Sequence, residues 1–100
     1  MASSSLGSLA RYSFTRTAVV LHAPDQSGVY ALHYQTTWVY VGESANIRAQ
    51  LLQHLNGDNA CIAVYPSLSF SFETVPEAVR AWRQDELVRE FRPTCNPWLG

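Results

Sequence analysis

Polar side chains interrupt two apolar stripes that the sequence predicts to be helical. Gln50 and His54 lie four residues apart, at helical spacing with Ile47, Leu51 and Leu55. Gln84 lies on a second stripe, together with apolar residues at positions 87, 88 and 91. Polar groups on buried stripes need hydrogen-bonding partners. They are therefore either boundary residues with local partners or members of one shared pocket.

Two tyrosines flank the connection between two predicted strands. Gly-Val-Tyr at residues 28–30 opens the first strand, and Tyr-Val-Gly at residues 40–42 closes the second, directly before the first helical stripe. A single tyrosine on a strand is usually a packing residue. The fixed order of Tyr30, Tyr40 and their glycines is more specific, and it makes both tyrosines candidates for chemistry.

This arrangement resembles the GIY-YIG nuclease superfamily, which includes the N-terminal cutting domain of a DNA-repair excinuclease and several homing endonucleases. The resemblance extends from residue 27 to about residue 97. His54 stands at the position of the family's common helix histidine. Asn96 follows Pro93 by three residues, as in the family's closing pattern.

The resemblance implies a catalytic set of Tyr30, Tyr40, Gln50, His54 and Gln84. In the family, the tyrosines help to deprotonate the attacking water, a helix arginine stabilises the phosphate, and a late glutamate binds a divalent metal. Gln50 and Gln84 occupy the arginine and glutamate positions here. Cleavage needs cationic stabilisation and a metal, and Mg²⁺ prefers carboxylates. The sequence therefore predicts no metal ligand and no resident cofactor, with Mg²⁺ required only by an active form.

A shifted helix register does not restore the missing charges. Arg48 lies two residues before Gln50, and Glu86 lies two residues after Gln84. Two residues correspond to a rotation of about 200° around a helix, which turns both charged groups to the opposite face.

The same resemblance implies a set of residues that contact nucleic acid: Gly42, Glu43, Ser44, Arg48 and Asn96. The position after the second glycine is often basic in the repair enzymes, whereas Glu43 is acidic. Three functions remain open. The first is a nucleic-acid-associated domain whose cleavage activity is weakened or lost, and the second is a divergent active endonuclease that holds its metal through Glu43 or the substrate. The third is a protein-interaction module without a nucleic-acid role.

The charge composition excludes polybasic proteins. Charged residues form 15% of the 100-residue chain, the net charge is −1, and all seven cations are arginines. A polybasic protein would derive its affinity for nucleic acid from counterion release. The arginines at positions 48, 80, 83, 89 and 92 fall on predicted helices, so a local basic patch is compatible with this total. The expected partners are DNA or RNA, or else a protein, and no apolar run suits a membrane.

Two cysteines are too few for a disulfide scaffold, which predicts reduced thiols and a cytoplasmic location. The Ser-rich residues 1–17 are predicted to be a flexible segment, with organellar targeting as the alternative.

The elements that would position these residues form an α/β (α+β) domain over residues 18–100. A short strand at 17–22 and a turn precede a hairpin with strands at 29–34 and 38–41. A helix of about ten residues begins at Ile47, and residues 57–67 are predicted to be a loop. A strand at 68–75 leads into a helix that begins near Pro76 and ends before Pro93. The expected fold is a small, mainly antiparallel three-stranded sheet flanked by helices.

Overall fold

The computed structural model describes residues 10–97. Over this range the chain forms, in order, β1 (Tyr12–Ser13), α1 (Arg16–His22), β2 (Gly28–Tyr34), β3 (Thr37–Ser44), α2 (Ile47–Leu55), α3 (Ala60–Ala63), β4 (Ser69–Thr74) and α4 (Glu77–Phe91). The predicted hairpin, both long helices and the last strand are confirmed, with ends that differ by no more than three residues.

The strands form one antiparallel sheet in the order β1-β4-β2-β3. This confirms the predicted fold class but corrects the strand number from three to four within residues 10–97. The additional strand is β1, in which Tyr12 pairs with Phe70. β3 is an edge strand, and its register with β2 shifts between Leu32 and His33. Its outer edge is therefore available to the segment that follows α4.

The sheet separates two hydrophobic layers. Tyr30, Leu32 and Phe70 pack on one face with residues of α1 and α2. Val29 and Ala31 point to the other face and pack against Leu87 of α4. Successive side chains of β2 thus alternate between the layers, as expected for a strand buried on both faces. As a result, α2 and α4 cover opposite faces of the sheet.

The strand predicted at residues 17–22 is wrong, because this segment forms helix α1. The Oγ1 atom of Thr15 accepts a hydrogen bond from the backbone N–H of Ala18 at 3.2 Å and caps the helix. Val19 is fully buried, whereas Val20 and Leu21 are 51% and 72% exposed. The β-branched residues suggest a strand locally, but only one side of this short segment reaches the core.

The helix boundaries follow from identifiable capping groups. The Oδ1 atom of Asn46 accepts a hydrogen bond from the N–H of Ala49 at 3.0 Å at the start of α2. Gly57 follows α2 with φ of 81°, a left-handed conformation that glycine adopts readily. α4 begins one residue after Pro76, and Arg92 ends it in a left-handed conformation immediately before Pro93. Arg92 is therefore a capping residue and not a helical one.

The predicted loop at residues 57–67 contains the short helix α3. Asn59 caps it by accepting hydrogen bonds from the N–H groups of Cys61 and Ile62 at 2.9 and 3.2 Å. The prediction of reduced thiols is also wrong, because Cys61 and Cys95 form a disulfide that joins α3 to the segment after α4. Sequence spacing could not reveal this pairing, because the two cysteines lie 34 residues apart.

The N-terminal residues within the described range are structured. Residues 10–17 include β1 and the start of α1, and Phe14 donates its backbone N–H to the carbonyl oxygen of Leu68 at 2.9 Å. The rest of the predicted flexible segment, residues 1–9, lies outside the described residues. Over residues 10–97, none of the helices combines the length and apolar character that crossing a membrane requires.

Candidate functional site

The first component of the candidate site is the packing of Tyr30 across Gly42. These residues are direct cross-strand partners on β2 and β3. A Cβ atom at position 42 would overlap the phenol oxygen of Tyr30 and would also crowd the ring of Tyr40. Glycine is therefore required at this position because of space, and the two motifs seen in the sequence act as one packing unit.

A hydrogen-bonded chain extends from Tyr30 through His54 to Asp58. The Oη atom of Tyr30 lies 2.7 Å from Nε2 of His54, and Nδ1 of His54 lies 3.0 Å from Oδ1 of Asp58. The side chain of His54 is 5% exposed, and that of Asp58 is 31% exposed. The chain therefore connects a buried phenol to a partly solvated carboxylate.

Tyr40 lies against both members of the buried pair. Its ring centroid is 6.2 Å from that of Tyr30 and 5.3 Å from that of His54. Burial raises the pKa of the Tyr30 hydroxyl, and the neighbouring Tyr40 and the charges of Asp58 and Glu43 raise it further. Burial also raises the pKa of Tyr40, with the charge of Asp58 adding to the effect. Both phenols are consequently protonated at neutral pH.

A cleft of about 360 Å³ opens beside Tyr40. Its lining residues are Tyr40, Gln84, Asp85, Val88, Arg89, Asn96 and Pro97. The Nε2 atom of Gln84 donates a hydrogen bond to the carbonyl oxygen of Val41 at 3.3 Å. Two of the predicted catalytic residues, Tyr40 and Gln84, thus share this cleft with the predicted nucleic-acid ligand Asn96.

Asn96 completes the outer edge of β3. Its Oδ1 atom accepts a hydrogen bond from the N–H of Val41 at 2.7 Å, and its Nδ2 atom donates one to the carbonyl oxygen of Val41 at 2.9 Å. The neighbouring Cys95 donates its backbone N–H to the carbonyl oxygen of Val39 at 2.7 Å. The segment after α4 therefore pairs with the edge strand much as another strand would, and it fixes one wall of the cleft.

Gln50 is not among the residues that line this cleft. It is half-buried on α2, one turn before His54, whereas Gln84 lies on α4 across the sheet. Of the five catalytic candidates, Tyr40 and Gln84 line this cleft. Tyr30, Tyr40 and His54 form one cluster, Gln84 approaches Tyr40 from the other face, and the edge strand β3 lies between the two helices.

The other predicted nucleic-acid ligands are engaged in structural contacts. The Oγ atom of Ser44 accepts a hydrogen bond from the N–H of Asn46 at 3.0 Å within the turn before α2. The Nε atom of Arg48 donates a hydrogen bond to the carbonyl oxygen of Ala23, the residue that follows α1, at 2.8 Å. Glu43 is paired with Arg80 of α4. These contacts occupy hydrogen-bonding and charged groups that would otherwise be available to a ligand.

Acidic partners also neutralise part of the arginine set on α4. Arg83 is ion-paired with Glu73 at 2.9 Å and with Glu86 at 2.6 Å. Together with the pairing of Arg80, these contacts remove two arginines from any exposed basic patch. Arg89, in contrast, lines the cleft beside Tyr40.

Asp58 is a site residue that the sequence pattern does not single out. It follows Gly57 and lies beyond the end of α2, outside the helical stripe that contains His54. The feature of the sequence that could have identified Asp58 is its position four residues after His54. That spacing brings side chains together on a helix, and here the turn at Gly57 preserves the contact.

Within residues 10–97, no group of three or more histidine, cysteine, aspartate or glutamate side chains is arranged to hold a metal ion. The polar groups of the cleft are the amides of Gln84 and Asn96, the phenol of Tyr40, the carboxylate of Asp85 and the guanidinium of Arg89. Mg²⁺ prefers several carboxylate and water oxygens. This set of side chains does not fit a magnesium site built by the protein.

Comparisons with known proteins identify the fold. No protein-family profile matches the chain. The magnesium-bound GIY-YIG N-terminal endonuclease domain of UvrC from Thermotoga maritima superposes with a TM-score of 0.68, 20% identity, and coverage of 82% of this chain and 96% of that chain. A tyrosine-to-phenylalanine mutant of that domain, bound to its catalytic divalent cation, gives the same TM-score with 18% identity and the same coverages.

A shorter likeness is found in sequence. UvrABC system protein C from Hydrogenobaculum sp. is 42% identical over 38 residues, which is 38% of this chain and 7% of that protein. The match thus covers a small part of a much longer protein. Together with the four-stranded antiparallel sheet and its flanking helices, these comparisons show that the chain has the fold of the GIY-YIG endonuclease domain of UvrC.

Proposed function

We propose that this chain is a GIY-YIG domain that associates with nucleic acid and has weakened or lost metal-dependent phosphodiester cleavage. The observation that carries the proposal is the position of Gln84, whose amide lies in the cleft beside Tyr40 and donates to the Val41 carbonyl. The resemblance implies a metal-binding glutamate at this position. An amide supplies no negative charge to hold a divalent cation.

The second missing catalytic group is a cation on α2. Gln50 stands where the resemblance implies an arginine that stabilises the charge on the phosphate. Removing one preorganised donor from a charge-stabilising site typically costs about 10²–10³-fold in rate. Loss of both the cation and the metal ligand would therefore leave little activity, even with the cluster of Tyr30, Tyr40 and His54 intact.

A divergent active enzyme is the second candidate function, and one contact in the cleft favours it. Asp85 lines the cleft together with Tyr40 and directly follows Gln84. In such an enzyme the carboxylate of Asp85, with phosphate oxygens of the substrate, would hold the metal. Glu43 is less suited to this role because it is already paired with Arg80.

The proposed nucleic acid is DNA or RNA, and the likeness to the UvrC endonuclease domain favours DNA and a role in repair. A protein partner without nucleic acid is the remaining alternative, and the net charge of −1 is compatible with it. A cytoplasmic location stays a prediction. It no longer has the support of reduced thiols, because disulfides persist mainly in oxidising compartments.

The decisive experiment measures cleavage and binding separately. Supercoiled, branched and single-stranded DNA and single-stranded RNA are incubated with the protein and either Mg²⁺ or Mn²⁺, and retention on filters is measured in parallel. We expect binding to at least one substrate with little or no cleavage, and the same binding for Tyr30→Phe. Cleavage that Tyr30→Phe and Asp85→Ala both abolish would establish the divergent enzyme instead. Absence of both binding and cleavage would support the protein-interaction module.

A further inference from the structure

The contact between Asp58 and His54 determines which nitrogen of the histidine can accept a proton. An ionised carboxylate can only accept hydrogen bonds, so the Nδ1 atom that lies 3.0 Å from Oδ1 of Asp58 must carry a hydrogen. In a neutral imidazole the other nitrogen is then an acceptor. That nitrogen, Nε2, lies 2.7 Å from the hydroxyl oxygen of Tyr30.

We propose that Asp58 is a positioning residue that fixes His54 in the Nδ1-protonated tautomer and thereby makes Nε2 the acceptor for the hydroxyl proton of Tyr30. A neutral histidine has two tautomers, and the hydrogen bond made by one ring nitrogen selects the state of the other. Without Asp58, Nε2 could carry the hydrogen and donate it to Tyr30. The direction of the bond between the two side chains would then be reversed.

This direction matters because Tyr30 is a poor acid. Its burial raises the pKa of its hydroxyl group, so the free phenolate is not formed at neutral pH. With Nε2 as acceptor, a proton that leaves Tyr30 during a reaction has a defined destination, since the O–H bond would break as an N–H bond forms on His54. The resulting imidazolium lies between the phenolate and the Asp58 carboxylate, and no further reactant is needed.

The fold holds Asp58 in place from both sides. The carbonyl oxygen of His54 accepts the N–H of Gly57 at 3.0 Å, which closes the turn at the end of α2. On the other side Asn59 caps α3, and Cys61 connects that helix to the segment after α4 through the disulfide. Asp58 therefore lies between two anchored points of the chain. A tethered carboxylate of this kind loses little additional conformational freedom when it binds histidine.

The ring of His54 contacts the side chains of Tyr30, Tyr40 and Asp58. Of these, Asp58 is the one whose ionised form can only accept a hydrogen bond from the ring. A phenol can donate or accept, so neither tyrosine dictates the tautomer by itself. The prediction is thus specific to Asp58 and distinguishes it from the rest of the cluster.

The test reads the tautomer directly by nitrogen NMR of the histidine rings at about pH 8, above the usual titration range of histidine. In the unmodified protein we expect a protonated Nδ1 and an unprotonated Nε2 at His54. Asp58→Ala should move the hydrogen to Nε2, with an exchange of the two nitrogen shifts. Tyr30→Phe should leave Nδ1 protonated, and Asp25→Ala, which removes an exposed aspartate in the turn before β2, should also have no effect.

Two results would overturn the proposal. One is an unmodified protein in which Nε2 of His54 already carries the hydrogen, and this measurement needs no variant to fold. The other is an Asp58→Ala variant in which Nδ1 of His54 stays protonated. The role of this tautomer in catalysis rests on the proposed function, but the NMR measurement of the tautomer does not depend on cleavage. A protein that binds no nucleic acid would refute the proposed function and leave the tautomer assignment intact.

Discussion

The ring of Tyr30 lies directly over Gly42, in the space that a side chain at position 42 would occupy. The two residues face each other across β2 and β3. The glycine thereby allows the phenol to cross the neighbouring strand and reach His54 on α2. One close approach between strands therefore assembles the central hydrogen bond of the candidate site.

Gly42→Ala should destabilise the protein and displace the Tyr30 ring. Overpacking of a close-packed interior typically costs about 1–3 kcal/mol in the free energy of unfolding, and here the added methyl group would overlap the phenol itself. Urea denaturation monitored by circular dichroism measures this loss. The displaced ring should also lose its hydrogen bond to His54, which is detectable in the NMR signals of the histidine.

A double-mutant cycle with Tyr30→Leu provides the control for this prediction. If the cost arises from the overlap with the phenol, Gly42→Ala should be less destabilising once the aromatic ring has been removed. Equal costs in both backgrounds would show that the backbone of β3, and not the ring, requires glycine. Gly57→Ala offers a further comparison, because position 57 has open space around it but a φ of 81°.

A second prediction concerns the stability of the protein at acidic pH. His33 is fully buried and hydrogen-bonded to Ser71 at 2.9 Å. Burial lowers its pKa from 6.5 to about 4, with the charge of Arg11 adding to the effect. The unfolded chain therefore binds a proton more readily than the folded protein between these values. Stability should be highest above pH 6.5 and should fall as the pH approaches 4, by at most about 3 kcal/mol from this group.

Urea denaturation at a series of pH values between about 7 and 4 tests this window. His33→Gln keeps a hydrogen-bonding group beside Ser71 but cannot be protonated in this range, so the fall in stability should become smaller. His22→Gln, which changes an exposed histidine, is the matched control. A fall of unchanged size in His33→Gln would mean that other groups cause the acid sensitivity.

The disulfide leads to a third prediction. Replacing both Cys61 and Cys95 with serine opens a loop closed over 34 residues, for which chain entropy predicts a loss of about 3–4 kcal/mol in the free energy of unfolding. The segment after α4 should also become less well held against β3. Faster amide exchange at Val41, whose N–H donates to Asn96, measures this local effect. A variant with unchanged stability and exchange would show that Asn96 anchors the segment without the covalent link.

The sequence predicts the hairpin, the last strand and the two long helices because each depends on local spacing. The apolar and aromatic run of β2 and the capping by Asn46 are local signals of this kind. The sequence of α1 instead favours a strand, because a run of β-branched residues suggests one unless its packing is known. β1 escapes prediction because two residues carry no periodicity, and only the pairing with β4 defines them as a strand.

The site is less predictable than the fold because it depends on contacts between distant segments. Spacing identifies His54 as a polar residue in an apolar stripe, but not its bond to Asp58. The bonds from Asn96 to Val41 span 55 positions in the chain, and the pairing of Glu43 with Arg80 spans 37. These contacts follow from the topology of the sheet and not from a local pattern. The sequence therefore identifies candidate residues, and the fold determines which of them are in contact.

The final prediction concerns restoration of cleavage. If only the arginine and the glutamate are missing, Gln50→Arg combined with Gln84→Glu should produce Mg²⁺-dependent nicking of DNA. In the second change, a carboxylate replaces an amide that donates to the Val41 carbonyl. Because two acceptors repel each other, the new side chain should turn into the cleft, where solvent reaches it. Calorimetry should accordingly detect Mg²⁺ binding by Gln84→Glu but not by the unmodified protein.

The two changes should act together, because metal and arginine stabilise the same developing charge and such groups are strongly non-additive. Each single variant should therefore show far less nicking than the double variant, by roughly 10²–10³-fold if each group acts like one preorganised donor. Addition of Tyr30→Phe to the double variant should abolish the nicking, because it removes the hydroxyl that bonds His54. A double variant that binds Mg²⁺ and DNA yet does not cleave would contradict the prediction. It would mean that α2 and α4, on opposite faces of the sheet, hold the two charges too far apart to act on one phosphate.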